Sequence, residues 1–183
     1  MIRLSIILLL IGISNTKMVA QNLKFSNTGL VGISIGQNLK NIDLFKYDLL
    51  ENRKSNSAIF YSPNTTSNFY YVISDSLILE DCIPVTQLFF TTDLTGYVNT
   101  IFIFVANVNE MIFEKINTAF GVQKLQSNSS ISNISTNSKS YWKLDNIRTL
   151  LTNYGSKRSV KISIVNVDSD LGEPSISLYD TLE

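Results

Sequence analysis

The sequence predicts an α+β domain: a mainly antiparallel sheet covered on one face by one principal helix over about residues 108–120. Three observations carry that expectation. Runs rich in β-branched and aromatic residues alternate with short connections rich in Asn, Ser, Asp and Gly. Only one segment places its apolar residues at the three- and four-residue spacing of a helix face. That segment follows the most apolar run of the mature chain, residues 101–105. Strands joined by short turns are mostly antiparallel neighbours, and one helix cannot supply the repeated crossovers of a parallel sheet. It can cover one face, with its apolar stripe on Phe102, Phe104 or their neighbours.

The first residues read as an export signal. Met1, Ile2 and Arg3 make a short positive start, residues 4–13 are almost wholly apolar, and a polar stretch leads to Met18, Val19 and Ala20. That order is the layout of a secretory signal peptide over residues 1–20, with cleavage after Ala20. About ten apolar residues are too few to span a bilayer core, which needs roughly 20. The competing reading is a buried first strand or helix. Cleavage of the 183-residue chain leaves residues 21–183, one globular domain with room for a real core. The expected location is periplasmic or secreted, with no stable membrane insertion after cleavage.

Within that domain, residues 29–36 form a β-prone run with Val31, Ile33 and Ile35 on one side. Its glycines do not sit in a turn between strand and helix, so they do not match a dinucleotide-binding loop. Residues 38–50 suit a short helix or an irregular segment, with Leu39, Ile42 and Phe45 on one side. Residues 58–61 and 69–73 are expected to pair with each other across a turn-prone connection. Residues 77–79 and 85–90 follow as strands, the second opened by Pro84. Residues 98–105 come next, with large apolar side chains on both faces of 101–105, as in a central strand covered on two sides.

Asn107 and Glu110 then have the spacing of a capping box. Ile112, Phe113, Ile116, Ala119 and Phe120 recur on one helical face before Gly121 stops it. Residues 125–139 are rich in Ser and Asn and read as a long flexible loop. Tyr141, Trp142 and residues 147–151 suggest two strands around a turn at Asp145 and Asn146. Residues 160–167 form a further strand, and 176–179 an edge strand.

The residue inventory restricts the chemistry. There is no histidine, which removes Ser/His/Asp and Cys/His nucleophile systems and histidine-dependent zinc sites. Cys82 is the sole cysteine, has no partner for an internal disulfide, and is expected as a buried thiol in an apolar run. Loss of Arg3 and Lys17 from the 15 basic residues leaves 13 against 15 acidic ones, a net charge of about −2. That balance offers no general attraction for nucleic acid. Lys157, Arg158 and Lys161 make a small basic cluster, expected as a solvated loop and strand face.

Candidate sites are few. Glu80 and Asp81 are adjacent carboxylates, expected at a solvated turn or edge. Asp168, Asp170 and Glu173 have alternating oxygen ligands like the opening of a calcium loop, but no glycine at the sixth position, so an acidic turn is expected and no metal or other cofactor is assigned. Asn64, Asn128 and Asn133 begin sequons of the kind chance supplies in such a composition. Asp75, Ser76 and Leu77, like Asp180, Thr181 and Leu182, resemble short acceptor sites for O-linked sugars on some exported bacterial proteins.

Tyr61, Tyr70, Tyr141 and Trp142 are the candidates for contacting a protein or glycan partner, since Tyr and Trp combine contact area with a polar atom. Packing is the competing role for each. The expectation for function is a non-catalytic binding, inhibitory or envelope-accessory module outside the cytoplasm. The alternative is a secreted hydrolase using paired carboxylates.

Overall fold

The computed structural model describes residues 20–50, 59–61, 67–74, 76–121, 139–153, 160–167 and 176–178. Its strands begin with Gln21–Leu23 (β1), Phe25–Ser26 (β2), Gly29–Leu30 (β3), Ile33–Ser34 (β4), Lys46–Leu49 (β5), Ile59–Tyr61 (β6) and Asn68–Ile73 (β7). They continue with Leu77–Leu79 (β8), Ile83–Thr92 (β9), Val98–Val105 (β10), Lys139–Leu144 (β11), Ile147–Asn153 (β12), Val160–Asn166 (β13) and Ile176–Leu178 (β14). One α-helix, Glu110–Phe120 (α1), joins β10 to the later strands, and Leu39–Asn41 forms a single 3-10 turn. The architecture is α+β, a mainly antiparallel sheet covered by one principal helix.

The main sheet has nine strands in the order β1-β8-β9-β10-β13-β12-β11, with β7 also on the β9 edge and β5 beyond β7. Among its described pairs, β1 with β8 is parallel and the others are antiparallel. β10 lies at the centre, and all eight of its residues are buried. Its side chains alternate between two layers, as the period of a strand requires. Ile101, Ile103 and Val105 join the larger core with Ile162, Ile164 and the buried residues of α1. Phe102 and Phe104 point the other way, into a second cluster with Phe69 and Phe89.

That alternation decides between the two sets of residues on which the helix was expected to dock. α1 presents Ile112, Phe113, Ile116 and Phe120 to the layer of Ile101 and Ile103, not to Phe102 and Phe104. Its cap is also shifted. Asn109, not Asn107, is the N-cap, with its side-chain oxygen accepting from the Ile112 amide at 3.1 Å. Glu110 becomes the first helical residue, where its charge complements the exposed amides of the helix start. Gly121, at φ 82°, stops the helix in a conformation that a side chain would disfavour.

Three pairings also differ from the sequence reading. Residues 29–36 fold as the tight pair β3 and β4, with β2 alongside, so Val31 is exposed while Leu30 and Ile33 are buried. Gly32 makes that turn possible, because it holds φ 95° and a Cβ there would sit 2.8 Å from both Leu44 and Phe45. Residues 46–49 form β5 rather than helix; the 3-10 turn leaves Ile42 and Phe45 buried beside it. β6 pairs with β14, whereas β7 pairs with β5 and β9, so the expected hairpin of residues 58–61 and 69–73 does not form. β1 went unread. Three residues carry too little periodicity to announce a strand.

Candidate functional site

The aromatic residues singled out in the sequence are not gathered into one surface. Trp142 is fully buried, packed 5.9 Å from the Phe113 ring between centroids, and its indole N–H donates to Asn117 Oδ1 at 2.7 Å. Strand alternation turns it under α1, which removes it from any partner surface. Tyr141, its neighbour in β11, is half-buried and lies on the opposite face of the sheet. Tyr70 shares the face of Trp142 but sits in β7, with β9, β10, β13 and β12 between them. At about 4.8 Å per strand spacing, β7 and β11 are roughly 24 Å apart. Tyr70 stacks on Phe90 at 5.1 Å and meets Tyr47 edge-on at 5.7 Å. Burial raises the pKa of its phenol, and the nearby Tyr47 adds to the shift. Tyr61 lies in β6, of which the structure describes the backbone pairing with β14.

Glu80 and Asp81 are the first two of the three residues that turn β8 into β9, both at positive φ, 52° and 63°. Such a turn normally favours Asn and Gly. Here the segment 22–25 holds it. The Glu80 amide donates to the Leu23 carbonyl at 2.8 Å, and the Asp81 amide to Asn22 Oδ1 at 3.0 Å. Glu80 itself is buried, accepts from the Phe25 amide at 2.6 Å and faces Lys115 at 3.6 Å. Asn22 also donates to the Asp81 carboxylate, which lies 3.5 Å from Lys24. The two acids therefore clamp the N-terminal strand to the helix side of the fold. Cys82, the last residue of the turn, is exposed rather than buried, with its thiol 3.7 Å from the Leu79 carbonyl.

Lys161 corrects another expectation. It is buried, not solvated, and its ammonium lies 5.7 Å from the centre of the Phe102 ring. Lys157 and Arg158 are outside the described residues, as are Asp168, Asp170 and Glu173, most of residues 125–139, the sequons, and residues 1–19. Among the described residues no group of three or more His, Cys, Asp or Glu could hold a metal ion. No helix among them is long and apolar enough to cross a membrane.

A cleft opens where the sheet forks. β7 stays with β9 up to the pair Tyr71 and Phe89, then leaves it to remain paired with β5. β8 takes up the same β9 edge at the pair Leu77 and Val85. Thr86, Gln87 and Leu88 are left between the two ladders, a gap of about 13 Å at the usual rise per residue. The fork leaves a half-open space of about 270 Å³. Its walls are Tyr71, Val72 and Ile73 of β7, Ser74 and Ser76, Leu77 of β8, and Val85 through Phe89 of β9.

None of these described lining residues is charged. Thr86 turns its hydroxyl to the Phe104 carbonyl at 3.0 Å, at an irregularity in the β9–β10 ladder. Ser74 donates to the Ser76 carbonyl at 3.2 Å, which ties the rim of the fork together. Ser76, central to one of the short sugar-acceptor patterns, is exposed on that rim. Gln87 differs from both. Its side-chain oxygen is buried and accepts no hydrogen bond among the described residues. A buried acceptor without a donor costs about 1–3 kcal/mol, which sets Gln87 apart from its neighbours in β9.

Sequence reasoning passed over this residue. The available signal was a glutamine in a mostly apolar run, between Val85 and Leu88. Comparison of the chain with protein-family models, with curated proteins and with solved structures gives no match.

Proposed function

We propose that the protein is an exported, non-catalytic binding module that recognises its partner at the fork between β7, β8 and β9. The observation that carries this reading is the fork itself, a preformed concave space of about 270 Å³ with Ser74 and Ser76 on its exposed rim. Preformed concave sites with a few placed polar groups are the usual form of ligand recognition. Export is supported by the charged, apolar and polar order of residues 1–20. It is also compatible with the position of β1. Cleavage after Ala20 would leave that strand whole, with the Gln21 nitrogen still able to donate to the Ser76 carbonyl, now at 3.0 Å. A periplasmic or secreted location follows from that signal.

The paired-carboxylate hydrolase is the weaker reading, because the adjacent acids of the chain are engaged in holding a turn. Glu80 and Asp81 are held by Phe25, Lys115, Asn22 and Lys24. The test is recovery of partners from envelope extract and culture fluid with the wild type and with Ser74→Trp, which fills the cavity from its exposed rim. Recovery by the wild type that is lost in the variant supports the reading. Equal recovery by both moves recognition elsewhere. Mass analysis of the exported protein should give a chain starting at Gln21; an intact chain from Met1 in the cytosol would end the export reading.

A further inference from the structure

We infer that the outer edge of β11 is a second recognition surface, one that takes an extended acidic peptide as an added strand. This goes beyond the fork and does not depend on it. Three strands lie at the margins of the main sheet: β1 with 3 residues, β5 with 4 and β11 with 6. Among the described residues β11 pairs only with β12, so half of its backbone groups face away from the sheet. Six residues are the usual length of a strand and enough for a ladder. The strand is also held firm: Trp142 is buried, and its indole N–H donates to Asn117 Oδ1 of α1 at 2.7 Å. A rigid edge loses little freedom when a strand is added to it.

Charge selects the occupant. Strands β10 to β13 contain the basic residues Lys139, Lys143, Arg148 and Lys161 and no acidic residue. Lys143 is exposed, and Arg148 stands directly opposite it in β12. Cations so placed repel, whereas a carboxylate on the next strand meets Lys143 as a favourable cross-strand neighbour. Asp145, in the turn after β11, forms no ion pair with Lys143. A second copy of this chain fits poorly. Two β11 edges paired antiparallel about Tyr141 set Lys139 of each opposite Lys143 of the other, like charge on like charge. The whole chain, with 15 basic and 15 acidic residues, has no net attraction for an acidic peptide, so binding reports on this edge.

The experiment is an amide NMR titration of the purified protein with short peptides blocked at both ends. One alternates Thr with Glu, a second replaces each Glu by Gln, and a third is the Glu peptide with every backbone nitrogen methylated. The Glu peptide should shift the backbone amides of Ser140 to Leu144 saturably. The Gln peptide should bind about fivefold more weakly, the loss of a cross-strand charge pair. The methylated peptide lacks the donors of a ladder and should not bind. Lys143→Glu, at an exposed position, should reverse the preference between the Glu and Gln peptides. The inference is overturned if no saturable shift appears at β11, if the methylated peptide binds as tightly, or if Lys143→Glu leaves the preference unchanged. Tighter binding of a single-stranded oligothymidylate at the same amides overturns it too, by assigning the edge to nucleic acid. The fork has its own test in Ser74→Trp, so failure at β11 is distinguishable from failure there.

Discussion

The indole N–H of Trp142 and the amide oxygen of Asn117 meet at 2.7 Å, joining the last strand of the main sheet to the helix that covers it. The tryptophan is otherwise enclosed by apolar atoms, so this contact is what allows its polar edge to be buried. Asn117→Ala should leave that N–H without an acceptor and destabilise the protein by about 1–3 kcal/mol. Asn117→Asp keeps an oxygen in place and should lose less. Urea denaturation followed by tryptophan fluorescence measures both, and equal stability of Asn117→Ala and wild type would show that the bond contributes nothing.

Glu80 holds a left-handed turn together while buried against the helix side of the fold. Glu80→Ala removes the acceptor of the Phe25 amide and the partner of Lys115, and should cost about 1–3 kcal/mol. Glu80→Gln retains an acceptor and should fall between the two. Because β1 and β2 are tied to this turn, amide exchange near Leu23 and Phe25 should accelerate in Glu80→Ala before it changes in β10. Uniform acceleration across both regions would contradict a local clamp.

Asp93 gives the stability a dependence on acid. Burial pushes its carboxyl pKa up, but donors from Tyr97, Thr95 and Gly96 outweigh that effect and hold it below the ordinary carboxylate value. Two of the bonds are the Tyr97 amide at 2.9 Å and the Thr95 hydroxyl at 2.7 Å. A folded-state pKa below the unfolded one means the stabilisation is complete above the unfolded value of about 4. It is lost as pH falls through that value toward the folded one. Asp93→Asn should therefore flatten the acid limb of a plot of stability against pH; an unchanged slope below about pH 4 would rule this group out as a contributor.

Gln87 buries an acceptor at a cost to stability. Replacing a buried acceptor that lacks a donor by an apolar side chain of similar size removes a desolvation cost. Gln87→Met should thus leave the melting temperature unchanged or raise it by a few degrees, about 0–1 kcal/mol. A marked loss of stability would mean that the amide satisfies a structural bond.

Cys82 is exposed, so one thiol per chain should react with a disulfide reagent in native buffer, without denaturant. Reaction only after unfolding would return the thiol to the core.

Much of the sheet was legible before any coordinates. Residues 98–105 and 160–166 became β10 and β13 because their apolar density leaves no stable place but the centre of the sheet. The helix was legible from Ile112, Phe113, Ile116 and Phe120, whose spacing fits only one period. Its start was less so, since Asn107 and Asn109 are equally able to cap and the choice falls to how the chain leaves β10. Among the candidate contact residues, Trp142 and Tyr141 were adjacent in sequence, but strand alternation sends them to opposite faces.

By itself the sequence determined the class of fold, the central strands, the one helix and the absence of histidine-dependent chemistry. Those follow from residue type and short-range period, which act within a few positions of the chain. Only the tertiary structure decided that β1 lies parallel to β8, that β7 and β8 share one edge of β9, and that Gln87 faces the space between them. Register and strand order depend on contacts between residues far apart in the chain, and local propensity carries almost no information about which distant edge a strand will meet.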